Sequence, residues 1–418
     1  MLFWRIDTKE SQSLQTMRGE ITARSKYARR LSGAAHSEVV ARVRPKIEKS
    51  QSQFIKLSNQ CIDLFPFLEI GSGRCERSML LATQFKANGF ASDLSYHSLD
   101  FAATYSKVLG MKLPHRVCCD AHNLPFKNRS FPFVFCYETL HHFSNPIPVI
   151  KEVVRVLDSG SFFFDDEPVK NYLRLHINFP INIRGHYKRG WVAYFISHFL
   201  RRTYSTTMEF GITENEDVSI NDWIEILSSF DEGEVVVYIP GLRSRFRSKN
   251  PASVFERILV SKLDSHRLSF KNVIASLIGA TISGLCFSKK SGNNHAPVST
   301  RNIFDLLACP NCLEINRTIC DARSCETECK VLCSKDAIKI EGGKAKIAKD
   351  DCNLCFDCLH NCPLNAIEKP KLFRTEKGFV CKNCGKTFPI INNILMLFSE
   401  EQGKKLYPKL LGTHFQRD

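Results

Sequence analysis

The stretch "FLEIGSG", residues 67–73, decides the fold class of this 418-residue chain. Mostly apolar residues lead into a Gly-x-Gly turn, a pattern typical of a buried strand that ends in a loop. Gly71 and Gly73 have no side chains, so the backbone can approach a ligand closely at this turn. Asp93 ends the next strand-like segment, where a carboxylate can accept hydrogen bonds from both hydroxyls of a ribose. The pattern therefore predicts a nucleotide-like ligand.

The turn differs from a dinucleotide-binding loop at two positions. Glu76 stands where such a loop has its third glycine, which allows the close helix approach used with a pyrophosphate. Glu69 precedes the turn, and its carboxylate would repel a pyrophosphate. Both differences point away from a pyrophosphate ligand.

Strand-like and helix-like segments alternate across residues 56–165. The segment "RSMLLATQFKANG" has apolar residues at helical spacing and predicts a helix that ends at Gly89. The segment "NPIPVIKEVVRVLDSG" predicts a helix that stops at Gly160, followed by the strand "SFFFDDE". Alternating helices and buried strands predict an α/β fold with a Rossmann-like parallel sheet that is covered on both faces.

Five ordered elements across residues 60–165 resemble class I S-adenosylmethionine-dependent methyltransferases of the type 11 kind. They are "FLEIGSG", "FASDLS", "CCDAHNLPF", "SFPFVFCYETLHHF" and "VVRVLDSGSFFF". The family's usual acidic residue before strand four is absent, because Phe131 and Pro132 occupy that place. That position is mostly structural. The resemblance implies a methyltransferase that uses S-adenosyl-L-methionine.

The resemblance also implies a set of cofactor-binding residues. They are Glu69, Gly71, Gly73, Asp93, Asp120, Ala121 and Tyr137. In this interpretation the first three line the methionine and ribose side of the cofactor, and Asp93 binds the ribose. Asp120 with Ala121 meets the adenine, and the segment from Tyr137 to His142 flanks the methyl group.

Candidate catalytic bases follow the fourth strand: Glu138, His141 and His142. Methyl transfer is an in-line displacement that depends mainly on proximity and alignment. A base is needed only if the acceptor is protonated at neutral pH. Either histidine can instead be a structural residue. The acidic trio 165–167 is interpreted either as facing the same pocket or as a solvated loop.

Eighteen cysteines are the strongest compositional signal, and twelve of them lie between Cys309 and Cys384. No apolar run follows the first basic residue, Arg5, so we expect no signal peptide. A dense cysteine cluster in a reducing compartment favours metal binding over disulfides. The six scattered cysteines are interpreted as small core residues.

The inner cysteines form two runs. The run "CNLCFDCLHNCP", residues 352–363, has the spacing that binds a [4Fe–4S] cluster, and its last cysteine usually ligates the other cluster of a pair. The earlier run ends in "CSKDAI" as the later one ends in "CPLNAI", so the two are pseudo-repeats. We assign one cluster to Cys320, Cys325, Cys329 and Cys362, and the other to Cys333, Cys352, Cys355 and Cys358.

These runs resemble two-cluster ferredoxins, and the spacing of the first run is similar to that of the iron–sulfur domain of the ribosome-recycling ABC ATPase. A zinc cluster is the main chemical alternative. Radical S-adenosylmethionine chemistry is disfavoured, because its Cys-x3-Cys-x2-Cys signature with one open iron is missing and each cluster has a fourth cysteine.

The outer cysteines bracket the inner ones. Cys309 and Cys312 in "LLACPNC" and Cys381 and Cys384 in "FVCKNCGKTFPIINNILML" have the Cys-x2-Cys spacing of a Zn²⁺-binding ribbon. The second segment resembles the small zinc-binding activator subunit of tRNA, ribosomal and release-factor methyltransferases. We therefore expect a zinc ribbon that is interrupted by a ferredoxin-like α+β insert.

The chain is accordingly divided into five parts. They are a basic helical segment (1–55), a methyltransferase domain (56–287) with a lid (168–208), a linker (288–302), a zinc ribbon (303–398) containing the insert (316–370), and a tail (399–418). The lid has no Asp or Glu and seven basic residues, and the net charge is +15. Such a segment suits an anionic acceptor, a membrane surface or RNA, although a packed lid with a solvated basic face explains it equally well.

The sequence thus predicts a cytoplasmic methyltransferase for a small-molecule or lipid-linked acceptor, with peripheral membrane contact through the lid as one variant. An RNA- or ribosome-associated methyltransferase is one alternative. Another is an iron–sulfur redox protein in which the adenosyl-binding domain is regulatory. The clusters imply an electron-transfer partner that the sequence does not identify, and the sequence does not give the oligomeric state.

Overall fold

The computed structural model describes most of the chain. The described residues are 14–32, 36–143, 145–168, 206–207, 213–214, 218, 220–238, 257–262, 281–288, 302–325 and 327–411. The basic aromatic lid (168–208) lies outside them except for Pro168, Thr206 and Thr207. The linker (288–302) lies outside them except for its two end residues. No helix in these ranges is long and apolar enough to cross a membrane.

Helices in the described ranges fall into an N-terminal group and several shorter C-terminal ones. They are α1 (Leu14–Ser32), α2 (His36–Asn59), α3 (Glu76–Gln84), α4 (Tyr96–Leu109), α5 (Ile147–Val156), α6 (Ile220–Leu227), α7 (Glu328–Leu332), α8 (Asp357–His360), α9 (Glu400–Leu406) and α10 (Pro408–Leu411). Short 3₁₀ helices span Ala121–Asn123, Leu140–His142 and Ile303–Leu306.

The strands up to Phe287 are β1 (Phe67–Ile70), β2 (Gly89–Asp93), β3 (His115–Cys118), β4 (Phe131–Tyr137), β5 (Leu157–Pro168), β6 (Thr206–Thr207), β7 (Thr213–Glu214), β8 (Glu232–Tyr238), β9 (Arg257–Lys262) and β10 (Thr281–Phe287). The later strands are β11 (Glu314–Ile315), β12 (Ile338–Glu341), β13 (Lys344–Ile347), β14 (Ile367–Glu368), β15 (Leu372–Arg374), β16 (Gly378–Cys381), β17 (Thr387–Ile391) and β18 (Ile394–Met396).

One 12-stranded sheet organises the molecule, in the order β15-β16-β17-β18-β3-β2-β1-β4-β5-β10-β8-β9. Its centre, β3-β2-β1-β4-β5, is entirely parallel. The strand order reverses beside β1, and ligands of open α/β sheets bind in the crevice that such a reversal creates at the carboxyl ends of the strands. The predicted parallel α/β sheet is thus confirmed.

The C-terminal strands extend this sheet instead of forming a sheet of their own. Strand β18 pairs in parallel with β3, so that Ile394, Leu395 and Met396 lie opposite Arg116, Val117 and Cys118. Strands β17, β16 and β15 follow as antiparallel neighbours. The outer cysteine pairs are therefore joined to the edge of the central sheet.

Apolar side chains cover both faces of the sheet. Val149, Val153 and Trp223, from α5 and α6, are buried against one face. Helices α1 to α4 cover the other face, where Phe54 and Met79 belong to the buried core. The expected helical segment near the N-terminus thus packs on the domain as part of its core.

Two glycines that the sequence analysis placed at helix ends lie in strands. Helix α3 ends at Gln84, and Gly89 opens β2, where a Cβ would lie 2.5 Å from the Phe67 carbonyl oxygen. Helix α5 ends at Val156, and Gly160 lies within β5, where a Cβ would lie 2.2 Å from the Pro132 carbonyl oxygen. These glycines allow close strand approach and do not end the helices.

Of the six scattered cysteines, five are buried as expected. Cys61 is exposed, and its φ of 61° places it in the left-handed turn that follows α2. The interpretation of Cys61 as a core residue is therefore wrong.

The segment that carries the inner cysteines forms a small unit beside α5. It contains the two-stranded pairs β11–β14 and β12–β13 together with the short helices α7 and α8. Its core buries four cysteines, Cys320, Cys329, Cys358 and Cys362, alongside Leu359.

Candidate active site

A cavity of about 60 Å³ lies at the carboxyl ends of β1 to β4. Four of the residues that the sequence analysis assigned to a cofactor line it, namely Gly71, Asp93, Asp120 and Ala121, and so does the candidate base His142. These residues come from four different loops. They meet because parallel strands end at the same edge of a sheet.

Gly71 begins the loop after β1 and needs to be glycine. Its φ is +64°, and a Cβ would lie 2.3 Å from Cγ2 of Thr139. Thr139 is buried behind it, and the Thr139 hydroxyl donates to the Tyr137 carbonyl oxygen at 2.8 Å. The tight approach of the two loops therefore forms one wall of the cavity.

Asp93 is held at the end of β2 by two backbone amides. Its Oδ2 accepts from Gly73 N at 2.8 Å, and its Oδ1 accepts from Ser95 N at 2.7 Å. Burial raises the pKa of Asp93 to about 6, although Arg24 and the two amides oppose the shift. The carboxylate thus points along the cavity wall in a fixed orientation.

Asp120 follows β3 and is held by three donors. Its Oδ1 accepts from the His122 backbone amide at 3.0 Å and lies 2.8 Å from His122 Nδ1. Its Oδ2 accepts from Gln402 Nε2 at 2.7 Å. Although burial alone would raise the pKa of Asp120, the charge and hydrogen bonds of His122 outweigh it and hold the pKa below its usual value. An acceptor-only carboxylate is therefore maintained beside Ala121.

Glu69 and Tyr137 do not line the cavity, although the family resemblance implies that they bind cofactor. Glu69 turns toward α3 and accepts from both the amide and the hydroxyl of Ser78. Burial raises the pKa of Glu69 to about 8. The Tyr137 hydroxyl donates to Gln53 Oε1 at 3.0 Å, and the Arg77 guanidinium carbon lies 3.9 Å from the centre of the Tyr137 ring.

The two candidate histidines stack on each other with ring centroids 4.2 Å apart. His141 Nδ1 lies 2.8 Å from Oε2 of the buried Glu167. His142 lines the cavity, and its Nε2 lies 3.2 Å from Arg24. Burial, with help from the neighbouring charges, lowers the pKa of His142 well below its usual value, so its imidazole is neutral.

The third candidate base, Glu138, is exposed at the end of β4 with a φ of 48°. Its carboxylate lies 3.8 Å from Lys46 of α2. The Glu138 carboxylate therefore faces solvent and Lys46, and Glu138 is not among the residues that line the cavity.

The acidic trio that ends β5 is not a solvated loop. Glu167 is fully buried and accepts from the backbone amides of Thr139 and Leu140 at 2.8 and 2.9 Å. Asp165 is also fully buried, and Lys49 of α2 bridges it to Asp166 at 2.6 Å from each. The trio therefore fastens the β4 loop and α2 to the sheet, and none of its members lines the cavity.

Several lining residues have no signal in the sequence. Glu20 and Arg24 of α1 form part of the cavity wall. The Arg24 guanidinium pairs with the Glu20 carboxylate at 2.6 Å. Thr139 and Phe143 come from the β4 loop. Thr139 lies within the segment from Tyr137 to His142 that the family resemblance placed beside the methyl group, so its place at the cavity was indicated in advance.

A second, larger cavity of about 500 Å³ lies at the opposite end of the strands. It is bounded by residues 127–130, which precede β4, and by parts of the cysteine-rich segment such as Asn316 and Asn365. Lys371 and Asp305 pair across its wall at 2.6 Å. Its lining holds none of the candidate catalytic or cofactor-binding residues.

The four outer cysteines converge. Their sulfur atoms lie within 4.8 Å of one another, with 3.6 Å between Cys309 and Cys384 and 3.6 Å between Cys312 and Cys381. A tetrahedral zinc site with Zn–S bonds of about 2.3 Å has sulfur–sulfur edges of about 3.8 Å. The group fits one zinc ion.

Among the described residues, only the outer cysteines converge as a group that could hold a metal ion, whereas several of the inner cysteines lie in one small core. Burial, then the charges of Cys362, Cys325 and Cys320, raises the pKa of Cys329.

The second set behaves in the same way. Burial, then the charges of Cys355, Cys352, Cys333 and Cys329, raises the pKa of Cys358 to about 12. Because Cys329 belongs to the first set, these charges do not separate the two sets.

Backbone amides point at three of these sulfurs. Ala337 N donates to Cys333 at 3.2 Å, and Cys320 and Cys362 each accept from an alanine amide at 3.3 Å. Hydrogen bonds to sulfur are among the features that set cluster potentials. The assignment of two [4Fe–4S] clusters to these cysteines stays a prediction.

A buried ionic cluster joins the inner-cysteine unit to α5, and we call it the Glu152 hub. Glu152 Oε2 lies 2.8 Å from both Arg155 Nη2 and Lys369 Nζ, and its Oε1 lies 2.8 Å from His360 Nε2. Lys369 also donates to Asn123 Oδ1 at 2.7 Å. Because Asn123 belongs to the loop that follows Asp120, the hub connects the cysteine-rich unit to the cavity wall.

Residues 68–164 match the family model described as "Methyltransferase domain". The match covers β1 to most of β5 and therefore every loop that forms the cavity. No curated protein matches the chain with significance. The chain carries a methyltransferase domain, and its enzyme class is S-adenosylmethionine-dependent methyltransferase.

Several solved structures are similar to the chain. The YcgJ protein of Bacillus subtilis aligns with 58% of this chain and 100% of its own, at 15% identity and a TM-score of 0.35. The PH0226 protein of Pyrococcus horikoshii aligns with 30% of this chain and 58% of its own, at 26% identity and a TM-score of 0.27. A complex between the Haloferax volcanii Trm112 methyltransferase activator and a methyltransferase matches 67% of this chain and 100% of the matched chain, at 14% identity and a TM-score of 0.34.

Proposed function

We propose that the protein transfers the methyl group of S-adenosyl-L-methionine to a small-molecule or lipid-linked acceptor. In this proposal the outer cysteines hold one Zn²⁺ and the inner cysteines hold two [4Fe–4S] clusters. The observation that carries the proposal is the convergence of Gly71, Asp93 and Asp120 on one cavity within the matched domain.

Each of these three residues has a separate role in holding the cofactor. Gly71 lies at the methionine end, where the lack of a side chain lets the loop pass close to Thr139. Asp93 accepts hydrogen bonds from the ribose hydroxyls, and Asp120 accepts one from the adenine amino group. Ligand pockets usually measure about 300–1,000 Å³. Since the cavity is smaller than this, we propose that Glu20 and Arg24 on α1 shift when the cofactor enters.

In the reaction, a lone pair of the acceptor attacks the methyl carbon while the bond from that carbon to the sulfonium sulfur breaks. The sulfur keeps the bonding electrons and leaves as a thioether. If the acceptor carries a proton, His142 is the first candidate to take it, because it is the one of the three candidate bases that lines the cavity. His141, fixed by Glu167, and the exposed Glu138 are the second and third candidates.

The metal groups have structural and redox roles in this proposal. The zinc ion ties the segment around Cys309 to the hairpin β16–β17, next to the strand that pairs with β3. Methyl transfer moves no net electrons, so the clusters are assigned to electron exchange with a redox partner or to sensing. A reducing compartment such as the cytoplasm would keep the twelve cysteines available for metal.

The metal assignment is tested by anaerobic purification followed by zinc, iron and sulfide analysis. Two clusters would give about eight irons per chain, with one zinc. Cys355→Ser should halve the iron content and leave the zinc content unchanged, whereas Cys381→Ser should lower the zinc content. A preparation that binds four zincs without labile sulfide would overturn the cluster assignment.

The enzymatic assignment is tested by calorimetry with S-adenosylhomocysteine, then by labelled methyl transfer to small-molecule and lipid fractions. Asp93→Ala should abolish binding of S-adenosylhomocysteine, because it removes a charged acceptor of two hydrogen bonds from the ribose. Each of these bonds contributes about 1.5–3 kcal/mol. Asp231→Ala, on the surface loop before β8, is the matched control. Wild-type affinity in Asp93→Ala would contradict the proposal. Methyl transfer to RNA alone would show that the acceptor is RNA and not a small or lipid-linked molecule.

A further inference from the structure

The helix that follows the outer cysteines reaches the cofactor side of the domain. Gln402, in the first turn of α9, donates from Nε2 to Asp120 Oδ2 at 2.7 Å. Asp120 lies in the middle of the matched domain, 282 residues earlier in the chain. A residue of the expected tail thus contacts a carboxylate that lines the cavity.

Both ends of α9 are fixed, so that Gln402 is held in place. At the start, Glu400 N donates to Asn311 Oδ1 at 3.0 Å, and Asn311 lies between the metal-fitting Cys309 and Cys312. At the end, the Tyr407 hydroxyl donates to the Leu94 carbonyl oxygen at 2.5 Å. The helix is therefore fastened both to the cysteine group and to the loop that follows β2.

The hydrogen bonds of Asp120 divide its two oxygens. His122 occupies Oδ1 twice, through its backbone amide and its ring nitrogen. Gln402 alone contacts Oδ2 among the described residues, which leaves this oxygen one lone pair to accept from a ligand. The position of Oδ2 therefore depends on Gln402.

From this geometry we infer that Gln402 is a positioning residue that makes the site selective for a purine with an amino group at position 6. An ionised carboxylate can only accept hydrogen bonds, so it accepts from a 6-amino group and repels a 6-oxo group. Gln402 acts through Asp120 by fixing Oδ2 and keeping it ionised. The inference rests on the proposed function, because it assumes that Asp120 meets the adenine.

The test compares S-adenosylhomocysteine with S-inosylhomocysteine, which differs in carrying oxygen at position 6 of the purine. The dissociation constant of each is measured by calorimetry on the anaerobically prepared full chain. Gln402→Met keeps the length of the side chain but removes the donor, and Gln402→Glu turns the donor into an acceptor. Lys405→Met is the matched control, because Lys405 lies exposed on the same helix and its side chain pairs only with Glu401 among the described residues.

We expect the preference of the wild type for the 6-amino ligand to fall about tenfold in Gln402→Met, since one hydrogen bond to a charged group is lost. Gln402→Glu should lose more of the preference, and Lys405→Met should keep all of it. Equal weakening of both ligands in the Gln402 variants would show a structural role only and overturn the inference. If the wild type binds neither ligand, the proposed function fails as well.

Discussion

At the scale of single residues, three carboxyl groups around the Gly71 loop differ in protonation because their surroundings differ. Burial raises the pKa of Glu69 to about 8 and that of Asp93 to about 6, whereas His122 keeps the pKa of Asp120 low. Near neutral pH, Asp93 and Asp120 are therefore charged while most Glu69 side chains carry a proton. Only charged carboxylates suit the two proposed contacts with ribose and adenine.

The pKa of Asp93 leads to a prediction about cofactor affinity. Because the ribose hydroxyls need a carboxylate acceptor, affinity for S-adenosylhomocysteine should fall as the pH drops through about 6. At pH 5 about one-tenth of the groups remain ionised, so we expect a roughly tenfold loss relative to pH 7. Calorimetry across this range measures the effect. Asp93→Asn should bind weakly at every pH and lack the step, and a flat wild-type curve would contradict the assignment.

Glu69 leads to a prediction about stability. Its pKa in the folded protein, about 8, lies above the unfolded value of 4.5, so the folded state holds the proton more tightly. Stability should therefore decline as pH rises from 4.5 to 8, by at most about 1.4 kcal/mol per pH unit from this group. Glu69→Gln should flatten that decline in urea unfolding at pH 5 and pH 8.

Glu76 provides a control of opposite sign for the same experiment. Arg74, 3.0 Å away, lowers the pKa of Glu76 below 4.5 despite its burial. Its contribution to stability is present above pH 4.5 and lost as pH falls through the folded pKa. Glu76→Gln should therefore reduce stability at neutral pH, and an identical pH profile for the two variants would contradict both assignments.

At the scale of elements, the sequence pattern predicts the central strands well because buried parallel strands are continuous apolar runs that end in recognisable loops. The Gly71 and Asp93 loops could therefore be placed together from the pattern, whereas the role of the Asp120 loop was implied by the family resemblance. Strand β18 could not be placed, because its three residues pair with β3 through backbone hydrogen bonds that carry no pattern. Gln402 was missed for a related reason. Its role follows from its contact with Asp120, which is distant in the sequence, and nothing in the short helix α9 itself indicates that contact.

Tyr407, at the end of α9, provides a prediction for this element. Its buried hydroxyl donates to the Leu94 carbonyl oxygen and accepts from Tyr96 N at 2.9 Å. Tyr407→Phe would leave both backbone groups without this partner, at a cost of about 1–3 kcal/mol each in the limit of complete burial. Tyr96→Phe, which loses one side-chain contact with Asn392 and leaves no backbone group without its partner, should cost less. Unfolding free energies compare the two, and the reverse order would show that Tyr407 does not anchor the helix.

At the scale of the whole molecule, the Glu152 hub holds the inner-cysteine unit against the methyltransferase domain. Glu152, Lys369 and His360 meet where both sides are buried, and Arg155 also donates to the Leu124 carbonyl oxygen at 3.0 Å. Arg155, followed by Lys369, holds the pKa of Glu152 well below its usual value despite burial. The unit is thus joined to the domain by charge as well as by packing.

The hub predicts an order of destabilisation. Glu152→Ala leaves the Arg155 guanidinium buried without its carboxylate and removes one partner of Lys369, and breaking a buried pair in this way costs about 3–5 kcal/mol. Lys369→Met leaves Glu152 paired with Arg155 and should cost less. The double variant should be more stable than Glu152→Ala alone. Unfolding free energies on metal-loaded protein test this order, and equal losses in the two single variants would contradict the role of Glu152 as the centre.

The pairing of β18 with β3 also constrains how the protein is made. Ile394 lies opposite Arg116. The edge of β3 therefore has no partner strand until 278 more residues have been synthesised. At about 5–20 residues per second, the edge of β3 stays uncovered on the ribosome for roughly 15–55 s. During that time it is open to pairing with other chains. Production of the protein should therefore be sensitive to translation speed and to chaperones, and a nascent chain that stops before residue 394 should aggregate.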